Sequence, residues 1–138
     1  MNAITLAKKE LSPYETLEGS VSWQLDKEPK GLELRLFWFT RGRGDEEAEI
    51  VQAQQIGSGQ RGQRSFSFIL PGWPWSVDGS LVSIVWGVEL VDAKGEGLVL
   101  EEFIMGPGGR STRLQVVTDS KSEGKFANKL RRLGRNPR

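Results

Sequence analysis

The side chains that could carry acid–base chemistry in this sequence are carboxylates and amines, because its 138 residues include no histidine and no cysteine. That absence excludes Ser-His-Asp and Cys-His nucleophile arrangements, the common zinc sites and disulfides. Glu101 and Glu102 are adjacent, so on a strand they point to opposite faces and cannot act as a catalytic pair. We therefore expect no enzyme, no catalytic residue, no metal and no cofactor, unless carboxylates and lysines from distant segments converge in the fold.

Three further segments contain residue types that bind phosphate or metal ions, and in each the surrounding sequence favours a plain loop. Gly57–Gly62 matches the GxGxxG spacing, but a dinucleotide site needs a helix after it and residues 65–70 have the pattern of a strand. Gly106–Thr112 lacks the lysine and the following helix of a phosphate loop. The acidic residues within 45–49 lack the alternation and the glycine of a calcium loop.

Trp73 and Trp75 are the candidate contact residues in the body of the chain. They lie among Pro71, Gly72 and Pro74, where the chain must bend because proline removes backbone donors and glycine relaxes φ. Either the two rings cap one end of the core, or they are exposed and form a contact surface. The capping interpretation is favoured, because aromatic side chains bury large areas and usually serve the core first.

The last twenty residues differ in charge from the rest of the chain. Residues 1–118 contain 12 Lys/Arg and 16 Asp/Glu, a net charge of −4, whereas residues 119–138 contain 7 and 2, a net charge of +5. Phe126, Leu130 and Leu133 have helical spacing, but so short a helix is marginal without a docking surface, and a disordered basic tail is favoured over it. We expect no specific nucleic-acid recognition, because Phe126 is the tail's only aromatic residue. The partner-binding candidates in the tail are Phe126, Lys129, Leu130, Arg131 and Arg132.

The elements that position these residues are predicted to be strands. In the stretch Phe66–Asp92, apolar residues alternate with polar ones before Pro71 and again from Val82 onward, with a proline- and tryptophan-rich crossover between and a turn at residues 77–80. Leu32–Phe39 begins amphipathic and ends apolar on both sides, which favours a central strand. About eight short strands separated by Gly, Pro and Asp signals predict an antiparallel, immunoglobulin-like β-sandwich over residues 1–118, followed by the basic tail 119–138.

The cellular compartment can be inferred only from two kinds of segment that the sequence lacks. No apolar stretch approaches the roughly 20 residues of a membrane helix, and the amino-terminal residues lack the apolar core of a signal peptide. We expect a cytoplasmic protein without a transmembrane segment.

Two segments have the pattern of known strand motifs. Glu15–Val21 partly reproduces an early strand motif, with Tyr14 where glycine is usual, and a later motif is matched by Phe66–Pro71, then Pro74–Ser76, then a strand with Trp86 at the aromatic position. Together they resemble the arrestin-like superfamily, which includes arrestins, retromer-associated Vps26-type proteins and bacterial sporulation-control proteins. The resemblance implies one immunoglobulin-like sandwich that acts as an adaptor, whereas members of the group usually carry two.

The sequence supports three hypotheses about function. The first is a non-enzymatic adaptor or scaffold domain that binds a protein partner through a sheet edge, through loops such as the one with Trp73 and Trp75, or through the basic tail. The second is a carbohydrate- or small-ligand-binding sandwich with exposed tryptophans. The third, an enzyme, is the least supported, and a homo-oligomer is an open alternative that would supply the missing second lobe.

Overall fold

A computed structural model of the chain describes residues 2–42, 46–79 and 81–114. The elements in these ranges are β1 (Ala3–Leu6), β2 (Glu10–Leu11), β3 (Thr16–Gln24), β4 (Leu32–Gly42), β5 (Ala48–Gly57), β6 (Arg61–Ile69), β7 (Val77–Gly79), β8 (Val82–Asp92), β9 (Gly97–Met105), a 3-10 helix (Pro107–Gly109) and β10 (Thr112–Leu114). No helix in this part of the chain is long and apolar enough to cross a membrane. The tail candidates Phe126, Lys129, Leu130, Arg131 and Arg132 lie outside the described residues.

The strands form two sheets packed as a sandwich, which confirms the predicted fold class. The smaller sheet has the order β1-β3-β6, and the larger has the order β10-β7-β8-β4-β5, with β9 also paired to β8 and β2 paired to β9. Six of the eight strand pairings among the described residues are antiparallel, and β4 lies between β8 and β5 as its apolar pattern predicts. Two short pairings, β2 with β9 and β10 with β7, are parallel.

The described residues form ten strands, two more than the prediction of about eight. Strand β2 is separate from β1, and the segment predicted to turn at residues 77–80 instead forms β7 over Val77–Gly79. Val77 is opposite Ile84 of β8 and Thr112 of β10, so its backbone is held by two neighbouring strands. Long-range pairing of this kind overrides the local turn preference of Asp78 and Gly79.

The core lies between the two sheets and is built from alternate residues of each strand. Leu32, Leu34 and Leu36 of β4 are fully buried, and they face Leu17 and Phe68 from the smaller sheet in the same cluster. Each such side chain contributes about 1.5–3 kcal/mol when buried. The alternation seen in the sequence therefore marks the inner faces of β4, β6 and β8.

The connection between β5 and β6 passes from the larger sheet to the smaller one along one side of the sandwich. Gln52 Nε2 donates to the carbonyl of Ile69 (2.7 Å), and Gln54 Nε2 donates to the carbonyl of Ser67 (2.6 Å). These bonds cover the free edge of β6, and such coverage is one way in which proteins prevent an edge strand from pairing with another chain. Only residues 58–60 of the Gly57–Gly62 segment lie between the strands, and a strand rather than a helix follows, so the segment connects two sheets and is not a hairpin loop as expected.

Candidate functional site

The crossover between β6 and β7 presents two large aromatic side chains to solvent. Trp73 and Trp75 are 51% and 41% exposed, so the favoured interpretation that they cap the core is wrong. The core at this point is closed instead by Leu70, which is 1% exposed, and by the fully buried Trp86. Proline and glycine carry the backbone out over that core, and the two rings project from it.

Hydrogen bonds to β8 and β9 hold this crossover in place. Trp86 Nε1 donates to the carbonyl of Pro74 (2.7 Å), a buried hydrogen bond between β8 and the crossover. The Ser76 backbone N–H donates to the carbonyl of Met105 (2.7 Å), and the Met105 N–H donates back to Ser76 Oγ (2.9 Å). The peptide bond between Trp73 and Pro74 is cis. Anchors on both sides of Trp75 fix the backbone that presents the exposed rings.

Tyr14 completes this surface, and sequence reasoning assigned it no functional role. Its side chain is 75% exposed, and its ring lies against Gly72, where a Cβ atom would be 2.2 Å from the Tyr14 hydroxyl. Trp75 Nε1 donates to the carbonyl of the same glycine (2.9 Å). We call Tyr14, Trp73 and Trp75 the aromatic end.

A polar turn positions Tyr14 between β2 and β3. Tyr14 has a φ of +69°, unusual for a residue with a side chain. Glu15 secures the turn, because its carboxylate pairs with Lys8 and accepts the Ser12 N–H (2.9 Å). The hydrogen bond from Lys8 and then that from Ser12 lower the pKa of Glu15 below its ordinary value.

A second exposed surface lies on the outer face of the larger sheet. Phe37 of β4 is opposite Ile50 of β5 and Gly87 of β8, and Phe39 is opposite Val85. On these strands and the neighbouring β9, the apolar side chains that face outward are Phe37, Phe39, Ile50, Val85, Leu100 and Ile104, and we call this set the apolar stripe. Its members include Ile50 and Leu100, which are 53% and 40% exposed.

A cleft of about 370 Å³ opens beside the stripe, between β7 and β9, which pair with successive parts of β8. Its charged residues include Lys9, Arg41, Asp78 and Glu102. Arg41 Nη2 pairs with Glu102 Oε2 at 2.8 Å, and Lys9 Nζ pairs with Glu101 Oε1 at 2.7 Å. Glu101 therefore pairs with Lys9 and Glu102 pairs with Arg41, which agrees with the expected placement of these adjacent side chains on opposite faces of the strand.

Within residues 2–42, 46–79 and 81–114 no group of three or more acidic side chains is placed to hold a metal ion. In the cleft, Arg41 and Glu102 are occupied with each other. The exposed aromatic and apolar side chains of this part of the chain lie mainly in the aromatic end and the apolar stripe.

Comparison with solved structures identifies the architecture. The sporulation control protein Spo0M from Bacillus subtilis matches with a TM-score of 0.56 at 17% sequence identity. The fold is arrestin-like. The match covers 76% of this chain and 48% of Spo0M, so the chain spans about half the length of that protein. At this identity the likeness concerns the fold alone, and it confirms the predicted resemblance to one arrestin-like lobe.

Other matches are weaker. A β-glucosidase from Listeria innocua in complex with gluconolactone has a TM-score of 0.43 and 11% identity over 81% of this chain and 16% of its own. The alkylpurine DNA glycosylase AlkC from Pseudomonas fluorescens, bound to DNA, has a TM-score of 0.38 and 13% identity over 76% of this chain and 30% of its own. Neither carries a functional argument. No protein-family model and no curated protein matches the chain by sequence.

Proposed function

We propose that this chain is a non-enzymatic protein-interaction domain, of adaptor or scaffold type, and that the aromatic end is its main contact surface for a protein partner. The observation that carries the proposal is the exposure of Tyr14, Trp73 and Trp75 around Gly72 on an anchored backbone. Tyrosine and tryptophan are the residue types most enriched among the energetic centres of protein interfaces.

The anchoring of the crossover supports this role for physical reasons. A contact residue contributes more to affinity when little conformational entropy is lost on binding. The Trp75 indole N–H donates to the Gly72 carbonyl, and the Pro74 carbonyl accepts from Trp86. The backbone that carries both exposed tryptophans is therefore fixed before a partner binds. Strand addition at β6 is disfavoured, because Gln52 and Gln54 already bind carbonyl groups along that edge.

The proposal is tested by replacing Tyr14 with a photo-crosslinking phenylalanine analogue in the full chain, expressed in its native cell. We expect one predominant crosslinked protein. The purified partner should then bind wild type, and Trp73→Ala or Trp75→Ala should raise the dissociation constant at least about 30-fold, as expected for a hot spot of about 2 kcal/mol.

Gln63 provides the control, because it is exposed on β6 and lies outside the aromatic end. The same analogue at Gln63 should not capture the partner, and Gln63→Ala should change the affinity less than about 3-fold, as for a contact outside the hot spot. Equal capture from both positions, or tryptophan variants that bind like wild type, would show that the aromatic end is not the contact surface.

A second candidate function rests on the same three rings. Sugars stack on exposed aromatic faces, so the aromatic end also suits a carbohydrate or another small ligand. Titration of the full chain with a panel of glycans, read out by tryptophan fluorescence, distinguishes the two functions. A saturable change that Trp73→Ala abolishes would favour the ligand, and a flat response together with a captured protein would favour the adaptor.

A further inference from the structure

The two segments that carry the aromatic end offer no unpaired charge to a ligand. Residues 70–76 of the crossover read Leu-Pro-Gly-Trp-Pro-Trp-Ser and include no charged residue. In the turn that carries Tyr14, the carboxylate of Glu15 pairs with Lys8. An exposed aromatic face by itself attracts a cation only weakly. This surface therefore suits a ligand that is uncharged where it meets the rings.

The hydrogen-bonding groups of the crossover favour a ligand that brings acceptors. The carbonyl groups of Pro71, Gly72 and Pro74 each already accept a hydrogen bond from another residue of the protein. The indole N–H of Trp73, in contrast, donates to no residue within the described ranges, and its side chain is exposed. A ligand can therefore accept from Trp73, whereas its own donors would meet three carbonyl groups that are already occupied.

A proline-rich segment in the polyproline II conformation has this chemistry. Proline has no backbone N–H, and polyproline II makes no internal hydrogen bonds, so its carbonyl groups are free to accept. Protein domains that bind such segments do so through grooves lined by aromatic side chains. Because polyproline II is formed before binding and the crossover is anchored, neither side loses much conformational entropy in the contact.

We propose that the aromatic end binds a proline-rich segment of the partner protein in the polyproline II conformation. Proline rings of the partner lie on Tyr14, Trp73 and Trp75, and one of its carbonyl groups accepts the indole N–H of Trp73. This inference rests on the proposed function, because it names the chemistry of the partner at the same surface. A carbohydrate fits this surface less well, since sugar hydroxyl groups donate as well as accept.

Calorimetric titration of the full chain with an oligomer of L-proline tests the ligand class. An oligomer of about ten residues spans about 31 Å as polyproline II. We expect saturable binding at one site, and Trp73→Ala should abolish it. The matched control ligand is the same oligomer made of D-proline, which has identical composition but the opposite helical hand. Absence of binding by the L-proline oligomer, or equal binding of the two oligomers, overturns the proposal.

The hydrogen bond from Trp73 has its own test. Benzothienylalanine at position 73 keeps the size of the indole ring but replaces its N–H group with sulfur. We expect the dissociation constant of the L-proline oligomer to rise roughly 2- to 10-fold, as for the loss of one hydrogen bond. Gln63→Ala is the control and should leave the constant unchanged, and circular dichroism verifies that each variant is folded. Wild-type affinity of the position-73 analogue overturns the proposed hydrogen bond and the preference for a proline-rich ligand that depends on it.

The partner captured through position 14 separates this inference from the proposed function. Mass spectrometry of the crosslinked peptide should place the attachment point within a proline-rich segment of that partner. Specific capture through a segment without proline overturns the inference and leaves the proposed protein-interaction function intact. Equal capture from positions 14 and 63 overturns both.

Discussion

At the scale of single residues, a few side chains determine the shape of the surfaces described above. Gly72 lies beneath the Tyr14 ring, and Gly87 lies beneath Phe37 and Leu100. In both places the absence of a Cβ atom lets an aromatic ring approach the backbone. At these two positions glycine leaves room for the neighbouring side chains, and the shape of both exposed surfaces depends on that room.

Gly62 of β6 shows the same principle inside the protein. A Cβ atom there would be 2.4 Å from Cζ2 of Trp23, which is only 4% exposed and cannot move away freely. We expect Gly62→Ala to lower the free energy of unfolding by about 1–3 kcal/mol through overpacking, measured by urea denaturation.

Gly31 offers a control for that substitution. A Cβ atom at Gly31 has only Gln55 Oε1 nearby, at 3.9 Å. Gly31→Ala should change the free energy of unfolding by less than about 0.5 kcal/mol. A Gly62→Ala variant as stable as Gly31→Ala would mean that Trp23 can repack.

Glu15 gives the fold a dependence on pH. Its pKa in the folded protein is lowered, first by the hydrogen bond from Lys8 and then by that from Ser12. Its contribution is therefore present above the ordinary value of 4.5 and is lost as the pH falls through the folded pKa. We expect Glu15→Gln to destabilise the protein slightly at pH 7, with the difference from wild type shrinking at acid pH, as measured by urea denaturation.

Glu18 is the control for Glu15, because its exposed carboxylate lies on the adjoining strand β3. Glu18→Gln should change the free energy of unfolding at pH 7 by less than about 0.5 kcal/mol. If Glu15→Gln did the same, the carboxylate would not be part of the turn that carries Tyr14.

At the scale of elements, the crossover is the feature on which the proposed function depends. It links β6 of the smaller sheet to β7 of the larger one, and it is bonded to both β8 and β9. These hydrogen bonds fix the path of the crossover backbone. A segment rich in proline and glycine can therefore hold its two tryptophans in defined positions.

Ser76 joins the crossover to β9 through a buried hydroxyl group. Ser76→Ala would leave the buried N–H of Met105 without its acceptor, Ser76 Oγ. We expect a loss of about 1–3 kcal/mol in the free energy of unfolding. Hydrogen exchange at Trp73 and Trp75 should also become faster, since one anchor of their backbone is lost.

Ser83 serves as the matched control for Ser76. Its hydroxyl is partly buried, and its hydrogen bonds to described residues are long ones with the backbone of Gly79, at 3.3 and 3.4 Å. Ser83→Ala should cost less than about 0.5 kcal/mol. Equal effects of the two substitutions would argue against a special role for Ser76.

At the scale of the whole molecule, the basic residues 119–138 can be removed without removing any described strand, so their charge can be studied apart from the fold. The buried apolar residues run from Ile4 to Met105, and the last described strand ends at Leu114. We expect deletion of residues 119–138 to leave the melting temperature unchanged within about 2 °C, while the net charge falls from +1 to −4.

Thermal unfolding of the full and shortened chains measures this effect. A lower melting temperature for the shortened chain would place the boundary of the folded unit beyond residue 118. Partner capture by both chains then shows whether Lys129, Arg131 and Arg132 contribute to the interaction, as the basic tail was predicted to do.

Much of the fold was predictable because the relevant information is local. Alternation in β4 and β8 marks their inner faces, and the Pro71–Pro74 bend identifies the crossover. Strands β2 and β7 were missed because two or three residues are too few to show a period. The aromatic end was only partly predicted, since the contact of Tyr14 with Gly72 joins residues 58 positions apart in the sequence.

The sequence by itself determined the residue types available, the strand periods and the absence of histidine and cysteine chemistry. It also showed that Leu32–Phe39 ends apolar on both sides, although that pattern fits equally a fully buried strand and one with an exposed aromatic face. Only the tertiary structure decided that Trp73 and Trp75 are exposed, that Tyr14 joins them, and that Phe37 and Phe39 face outward. The physical reason is that exposure depends on which strands pack over a side chain, and this is set by pairing between distant segments.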